Sequence, residues 1–411
     1  MSFTAKKRFL EFPWNYFESF LFTFALIALG ILLNRFNSSS VIKLPVAPVN
    51  YVLGSGYLIV IIFAYLLYRK QPVILWLTGK PAAISSIIGC STVILLFVII
   101  PYNYESVTNA KHIGIVHLIN TWPLLLVGFY CLTVLGMVTL RRLFPLNAKN
   151  IGFFLNHFGL WLIIMAVGLG SSDLQRLSIN ILKNGAENNI GITEQGSMQQ
   201  LPFSVKLLDF KLSEFPPQLY FLSKKEQKNT LKTNSIQYLS LNTKEFDCNA
   251  WHIKVREFLP SAIKNDSTYY SSDISGSCTA AYVEAINQNS RDTAKGWVST
   301  GSAYLQPEVL HLDTSDLVAF TPPKPKSFQS KITIRQDSLP PDTIILENNK
   351  PFRVGNWKLH QVSYDVNKGK WSTLSVLEAV KDPWLPLIYS GIIILLLGSL
   401  FLLWMGIIKK N

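Results

Sequence analysis

The sequence predicts a multi-pass α-helical membrane protein with six spans, both termini in the cytoplasm, and a large extracytoplasmic all-β, sandwich-like domain between spans 5 and 6. Three observations lead to this prediction: six long apolar stretches, an uneven distribution of Lys and Arg between their flanks, and a polar insert whose apolar residues alternate. We expect a membrane domain over residues 1–170, the β-rich domain over 171–383, and span 6 with a short cytoplasmic tail over 384–411.

The six apolar stretches each approach the roughly 20 helical residues that cross a hydrocarbon core. The second and third are the weakest, because they are short or rich in small polar residues. The first is not followed by a small-residue cleavage pattern, which argues against a signal peptide that is removed. The predicted spans are residues 17–33, 51–68, 82–100, 121–140, 151–170 and 384–408.

The basic residues in the short flanks set the predicted orientation, because Lys and Arg accumulate on the cytoplasmic side. One alternating set of flanks carries only Arg35, Lys43 and Lys111. This arrangement places the insert outside, in a periplasm or an equivalent compartment. The other set carries eleven basic residues: Lys6, Lys7, Arg8, Arg69, Lys70, Lys80, Arg141, Arg142, Lys149, Lys409 and Lys410.

The net charge of +13 follows the same division. Residues 171–383 hold 24 Lys and Arg against 22 Asp and Glu, so the excess positive charge belongs mostly to the membrane part. A basic chain can indicate a nucleic-acid partner, but here the charge lies where it sets topology beside membrane lipid. We therefore expect no nucleic-acid partner.

Apolar residues with a period of two in the insert predict half-buried antiparallel strands. Two stretches, 221–250 and 318–330, lack this pattern and are predicted to be loops. A disulfide between Cys248 and Cys278 is left open, since spacing does not reveal distance. The sequence has no Cys-x-x-Cys-His motif, so the chain is not itself a c-type cytochrome. The alternating runs are residues 201–212, 251–256, 281–286, 331–335 and 357–362.

A single histidine, His157, lies inside the fifth span, about eight residues beyond Lys149 and therefore roughly 12 Å into the bilayer. Ionisable groups at this depth are costly, so each one is a candidate for a functional site. Imidazole binds haem iron and other metals. Asn156 precedes it and Trp161 follows one turn later. The alternative interpretation is a polar residue that hydrogen-bonds between helices.

The other histidines give weaker signals. His112 and His117 precede the fourth span, and their spacing places them about 140° apart on a helix, which is a poor pair for one metal. They are interpreted either as interfacial residues or as an external ligand pair or proton relay. His252, His311 and His360 lie in the insert and are interpreted as solvated or hydrogen-bonded.

Six short motifs follow one another along nearly the whole chain: Asn120-Thr-Trp-Pro123, Leu155-Asn-His-Phe-Gly-Leu-Trp161, Gly168-Leu-Gly-Ser-Ser-Asp173, Leu201-Pro-Phe-Ser-Val-Lys-Leu-Leu-Asp-Phe210, Phe215-Pro-Pro217, and the run Ser375-Val-Leu-Glu-Ala-Val-Lys-Asp-Pro-Trp-Leu-Pro-Leu-Ile-Tyr-Ser-Gly391. In this order and spacing they resemble the ResB (CcsB-type) proteins of the System II cytochrome c maturation pathway, particularly the six-span form of Bacteroidetes-like bacteria.

The resemblance implies an accessory, non-catalytic subunit of a haem export and attachment (cytochrome c synthase) complex. The implied partners are a tryptophan-rich CcsA-type membrane protein and apocytochrome c, and the implied cofactor is haem b, held transiently and shared with the partner. The family's membrane histidine, proposed as an axial haem ligand, falls on His157. Arg141 and Arg142 would then steer the haem propionates, or serve topology alone. His360 stands where relatives are expected to carry an aromatic residue, and no role is carried onto it.

Two other functions fit parts of the sequence. A membrane-anchored extracytoplasmic sensor or ligand-binding protein would use the spans as structure only. A b-type membrane oxidoreductase would need several intramembrane histidines to hold paired haems, and only His157 lies clearly within a span.

Overall fold

The computed structural model describes residues 11–36, 42, 44–99, 121–144, 147, 150–224, 234–239, 244–336 and 339–408. The chain divides into two compact units, Met1–Gln175 with Lys381–Asn411, and Arg176–Val380. The described residues of the first unit are mainly helical, and those of the second form β-sheets.

The first unit contains seven described helices, and five of them are long and apolar enough to cross a membrane. These five indicate a membrane-embedded protein. They correspond to predicted spans 1, 2, 4, 5 and 6, whereas the helix at span 3 has a shorter apolar stretch, Lys80–Leu96, among its described side chains. The helices are α1 Tyr16–Phe36, α2 Val49–Tyr68, α3 Pro72–Leu77, α4 Lys80–Ile99, α5 Trp122–Leu143, α6 Ile151–Gly170 and α7 Leu385–Ile408.

Helices α6 and α7 pack closely because glycines replace side chains along their interface. A Cβ atom at Gly159 would lie 2.5 Å from the backbone nitrogen of Leu395, and one at Gly398 would lie 2.3 Å from the backbone nitrogen of Asn156. Small residues at such positions let two membrane helices approach each other and gain van der Waals contact. The interface thereby determines which side of α6 stays accessible.

The second unit contains an eight-stranded sheet that curves around its own core. Alternate residues of its strands are buried, and those of the first and last strands in the order belong to one hydrophobic cluster. A sheet whose two ends share a core must be curved. In spatial order the strands are β14 Leu339–Glu347, β13 Lys324–Gln336, β3 Met198–Phe215, β2 Asn188–Ile192, β1 Gln175–Leu182, β17 Leu374–Lys381, β16 Trp357–Tyr364 and β15 Phe352–Val354.

Two further sheets pack face to face across a second core, as in a β-sandwich. Asp316 is buried among them, where its carboxylate accepts hydrogen bonds from Ser223 Oγ at 2.6 Å and Trp251 Nε1 at 3.1 Å. One sheet contains β10 Thr293–Ser299, β9 Cys278–Asn287, β7 Trp251–Asn265 and β6 Glu245–Cys248, with β8 Thr268–Ser271 paired to β7. The other contains β11 Leu310–His311, β12 Asp316–Phe320, β4 Leu219–Lys224 and β5 Asn234–Leu239.

The two predicted loops are wrong in part. Strand β4 overlaps the start of the stretch 221–250, and β5 and β6 lie within it. Strands β12 and β13 cover most of 318–330. Their sequences do not show a regular alternation of buried apolar and exposed polar residues: in β5, for example, Ile236, Gln237 and Tyr238 are all exposed and only Leu239 is buried among the described side chains. Pairing of β4 with β12 and of β13 with β3, distant in the sequence, supplies the hydrogen bonds that local propensity does not predict.

The insert's two cysteines are both free thiols. Cys248 belongs to the core of the sandwich, whereas Cys278 lies in a smaller hydrophobic cluster with Ala262, Tyr269 and Ala280. Burial raises the pKa of both thiols above the ordinary cysteine value. Neither thiol is activated as a nucleophile by its surroundings.

Candidate functional site

His157 lies near the beginning of α6, and one of its two ring nitrogens forms a hydrogen bond with the backbone. Nδ1 is 3.0 Å from the backbone oxygen of Phe153, one turn earlier. A carbonyl oxygen only accepts, so Nδ1 carries the proton and Nε2 keeps its lone pair. Nε2 makes no hydrogen bond within the part of the chain that the structure describes. The imidazole, which is half-buried, is therefore held in the tautomer and orientation typical of a metal-binding histidine.

Phe153 links His157 to Arg142. The Phe153 and His157 rings stack with centroids 3.7 Å apart and an angle of 19° between their planes. The Arg142 guanidinium carbon lies 5.2 Å from the centroid of the Phe153 ring. Sequence reasoning missed Phe153, although its position four residues before His157 places both on one helix face. The Arg142 cation, the Phe153 ring and the His157 imidazole therefore lie together where α5 ends and α6 begins.

Arg141 turns away from this group. Its Nη1 donates to the backbone oxygen of Thr78 at 3.0 Å, and Thr78 follows the last residue of α3. Arg141 therefore satisfies a carbonyl at a helix end and ties the α3–α4 turn to α5. Of the two adjacent arginines, only Arg142 lies beside His157.

Trp161 is a packing residue rather than part of an open site. Only 3% of its surface is exposed, and its Nε1 donates to the backbone oxygen of Leu132 on α5 at 3.1 Å. Its ring stacks on Tyr57 of α2 and on Phe158, with centroid distances of 6.4 and 6.2 Å. Trp161 thus joins α6 to α2 and α5 and supports the helix that carries His157.

Asn156, rather than His157, is the polar residue that forms a hydrogen bond between two helices. Its Nδ2 donates to Ser399 Oγ on α7 at 2.7 Å, and Ser399 Oγ donates to the backbone oxygen of Leu395 at 2.9 Å. This hydrogen bond crosses the glycine-lined interface of α6 and α7. Because neighbouring residues on a helix point about 100° apart, fixing Asn156 toward α7 leaves His157 on a different face.

The remaining candidate histidines do not join this group. His112 and His117 lie outside the described residues. In the second unit, His252 Nδ1 lies 2.8 Å from an Asp247 carboxylate oxygen, which agrees with a hydrogen-bonded surface histidine. Among the described residues, no three or more His, Cys, Asp or Glu side chains lie together as a metal site would require.

A second polar cluster, missed as a site by sequence reasoning, centres on Asp173 in the turn after α6. Its Oδ2 accepts hydrogen bonds from Asn50 Nδ2 and Trp384 Nε1, each at 2.7 Å, and its Oδ1 accepts one from the Ala47 N–H at 2.9 Å. Burial alone would raise the pKa of Asp173, but these hydrogen bonds and nearby Lys381 outweigh it and hold the pKa below its ordinary value. The ionised carboxylate joins the adjacent ends of α2, α6 and α7.

Replacing Trp384 with Phe is expected to lower the stability of the first unit by about 1.5–3 kcal/mol, the range for a hydrogen bond to a charged group. The ring can still stack on Tyr51, 4.8 Å away between centroids, so the lost N–H is isolated. Thermal unfolding in detergent measures the change, with Trp404→Phe on the exposed side of α7 as control. The difference from wild type should shrink as pH falls through the depressed pKa of Asp173. Equal melting of the two variants would contradict the role given to Asp173.

Comparison with known proteins adds no assignment: no model of a known protein family matches the chain, and a search of curated proteins finds no significant match.

Proposed function

We propose that the chain is a cytochrome c maturation factor, the accessory subunit of a complex that exports haem and presents it for attachment to apocytochrome c. The observation that supports this proposal most is the state of His157: its Nδ1 is anchored to the Phe153 carbonyl, and its Nε2 is left with a lone pair on a half-buried ring. The resemblance of the surrounding motif to ResB-type proteins is the reason for proposing haem as the group that His157 would bind.

The residues present fit a haem-binding group: a histidine with one ring nitrogen not hydrogen-bonded to the described residues lies beside an aromatic ring and an arginine. His157 would bind the iron through Nε2, while Phe153 fixes the plane of the imidazole by stacking. Arg142, beside the same ring, would pair with a propionate. Any further ligand of the iron would come from the CcsA-type partner that the resemblance implies.

This chain's contribution is to bind and orient rather than to catalyse. Haem, when bound, supplies the group that becomes linked through thioether bonds to the reduced Cys-x-x-Cys-His motif. In the proposed arrangement six spans lie in a bacterial inner membrane with both termini in the cytoplasm. The β-rich domain then lies in the periplasm, where it would meet the partner's outer loops and apocytochrome c.

A strain that lacks this chain tests the proposal. We expect the covalently haem-bound c-type cytochromes to disappear from denaturing gels stained for haem, while b-type haem in the membrane remains. Tagged wild-type chain should restore them and co-purify with a CcsA-type protein and haem. Normal c-type cytochromes in the deletion strain would overturn the proposal and favour a sensor or anchoring protein with purely structural spans.

A further inference from the structure

The β-rich unit contains a cleft of about 400 Å³, a volume within the range of small-ligand sites. It lies where β3 ends and β13 begins, since Glu214 and Pro325 are paired there and both line it. Residues 300–303 and the 3₁₀ turn Gly369–Trp371 form other parts of its wall.

The walls of the cleft are tied together by hydrogen bonds. Trp371 Nε1 donates to the backbone oxygen of Ser277 at 3.1 Å, and the Thr279 N–H donates to Thr300 Oγ1 at 3.2 Å. Gly301 has φ +65°, and a Cβ atom there would lie 2.6 Å from the backbone nitrogen of Pro307. The shape is therefore built into the fold, and a ligand would meet a preformed site.

Two opposite charges line the cleft without pairing. Glu214 and Lys370 are both partly buried, yet neither forms an ion pair within the described part of the chain. Burial raises the pKa of Glu214, and the positive charge of Lys370 offsets this only partly. The Lys370 ammonium instead lies 4.9 Å from the centroid of the Trp371 ring. Lys368, by contrast, has Asp365 at 3.9 Å.

Burial disfavours the charged form of the Glu214 carboxylate, and Lys370, which forms no ion pair with it among the described residues, offsets this only partly. A ligand with a positive charge at one end and a negative charge at the other can pair with both groups at once. We propose that the cleft binds a short zwitterionic peptide, with its ammonium group toward Glu214 and its carboxylate toward Lys370.

The rest of the lining agrees with a peptide rather than a free amino acid. Pro217, Pro323 and Trp371 offer apolar surface for small side chains. The volume suits about three small residues, whereas a single amino acid would leave most of the apolar surface uncovered. This inference does not rest on the proposed haem function, because it concerns other residues in the other unit of the chain.

Isothermal titration of the full chain in lipid nanodiscs with trialanine tests the proposal. We expect binding to wild type that weakens about tenfold or more in Glu214→Gln and in Lys370→Met. N-acetyl-trialanine amide, which lacks both charges, should not bind. Glu194→Gln and Lys331→Met, which alter exposed side chains elsewhere on the unit, should bind like wild type. Absence of trialanine binding, equal binding of the blocked peptide, or unchanged affinity in both cleft variants would overturn the proposal.

Two further measurements, of free alanine binding and of thermal unfolding, test the ligand class and the integrity of the variant. Free alanine that binds as tightly as trialanine would overturn the assignment to a peptide. Glu214→Gln should unfold at the same or a higher temperature than wild type at about pH 7, because it removes a partly buried charge whose pKa is raised in the folded state. A loss of binding in this stable variant therefore reports on the site and not on unfolding.

Discussion

Replacing His157 with Ala is expected to lower the haem that co-purifies with the complex about tenfold or more, without unfolding the chain. The variant removes the nitrogen that would bind iron in the proposed site, whereas the main packing contacts of α6 are made by Trp161, Asn156 and Gly159. Haem content is measured from the reduced absorption spectrum of this chain purified with the proposed CcsA-type partner.

Two comparisons make the His157 result specific. His311→Ala removes an exposed histidine of the β-rich unit and should leave the haem content unchanged. Added imidazole should restore part of the haem band in His157→Ala, because it can occupy the space left by the side chain and supply the missing nitrogen. Unchanged haem in His157→Ala would refute the ligand assignment. A wild-type complex without haem would refute the proposed function as well.

Leucine at Gly159 or at Gly398 is expected to separate α6 from α7 and cost about 3 kcal/mol or more of stability, the upper end for overpacking. The clash involves backbone atoms on the facing helix, 2.5 and 2.3 Å from where the new Cβ would lie, so no side-chain rotation relieves it. The first unit should then unfold at a markedly lower temperature in detergent.

Gly168 is a matched control on the same helix, because a Cβ atom there meets nothing within 4 Å. Gly168→Leu should melt close to wild type, and the difference between the two α6 variants measures the interface alone. Haem binding should fall together with stability in Gly159→Leu, since α6 carries His157. If Gly159→Leu and Gly168→Leu unfold at the same temperature, the close packing of α6 against α7 does not contribute measurably to the stability of the first unit.

Local sequence patterns predicted the type of most elements but not all of them. The stretch 151–170 is predicted and observed as a helix with the same ends, because its hydropathy is uniform and polar residues flank it. Strands with clear alternation, such as β3 and β16, are also predicted from the sequence, because nearly every second residue over 201–207 and 357–361 is buried. Strand β5 is not readable, since most of its described side chains are exposed and its hydrogen bonds come from β4.

For the candidate site, the sequence by itself determined that a histidine lies within an apolar helix and that two arginines end the preceding one. Only the tertiary structure decided that Arg142 lies beside His157 while Arg141 binds the Thr78 carbonyl. The same holds for Asp173, whose partners Asn50 and Trp384 are 123 and 211 residues away. Hydropathy and periodicity are properties of a single segment, so the sequence shows them directly. Which side chains meet depends on how each helix is rotated about its axis and on which neighbour it packs against, and this is settled only when distant segments bury their surfaces together.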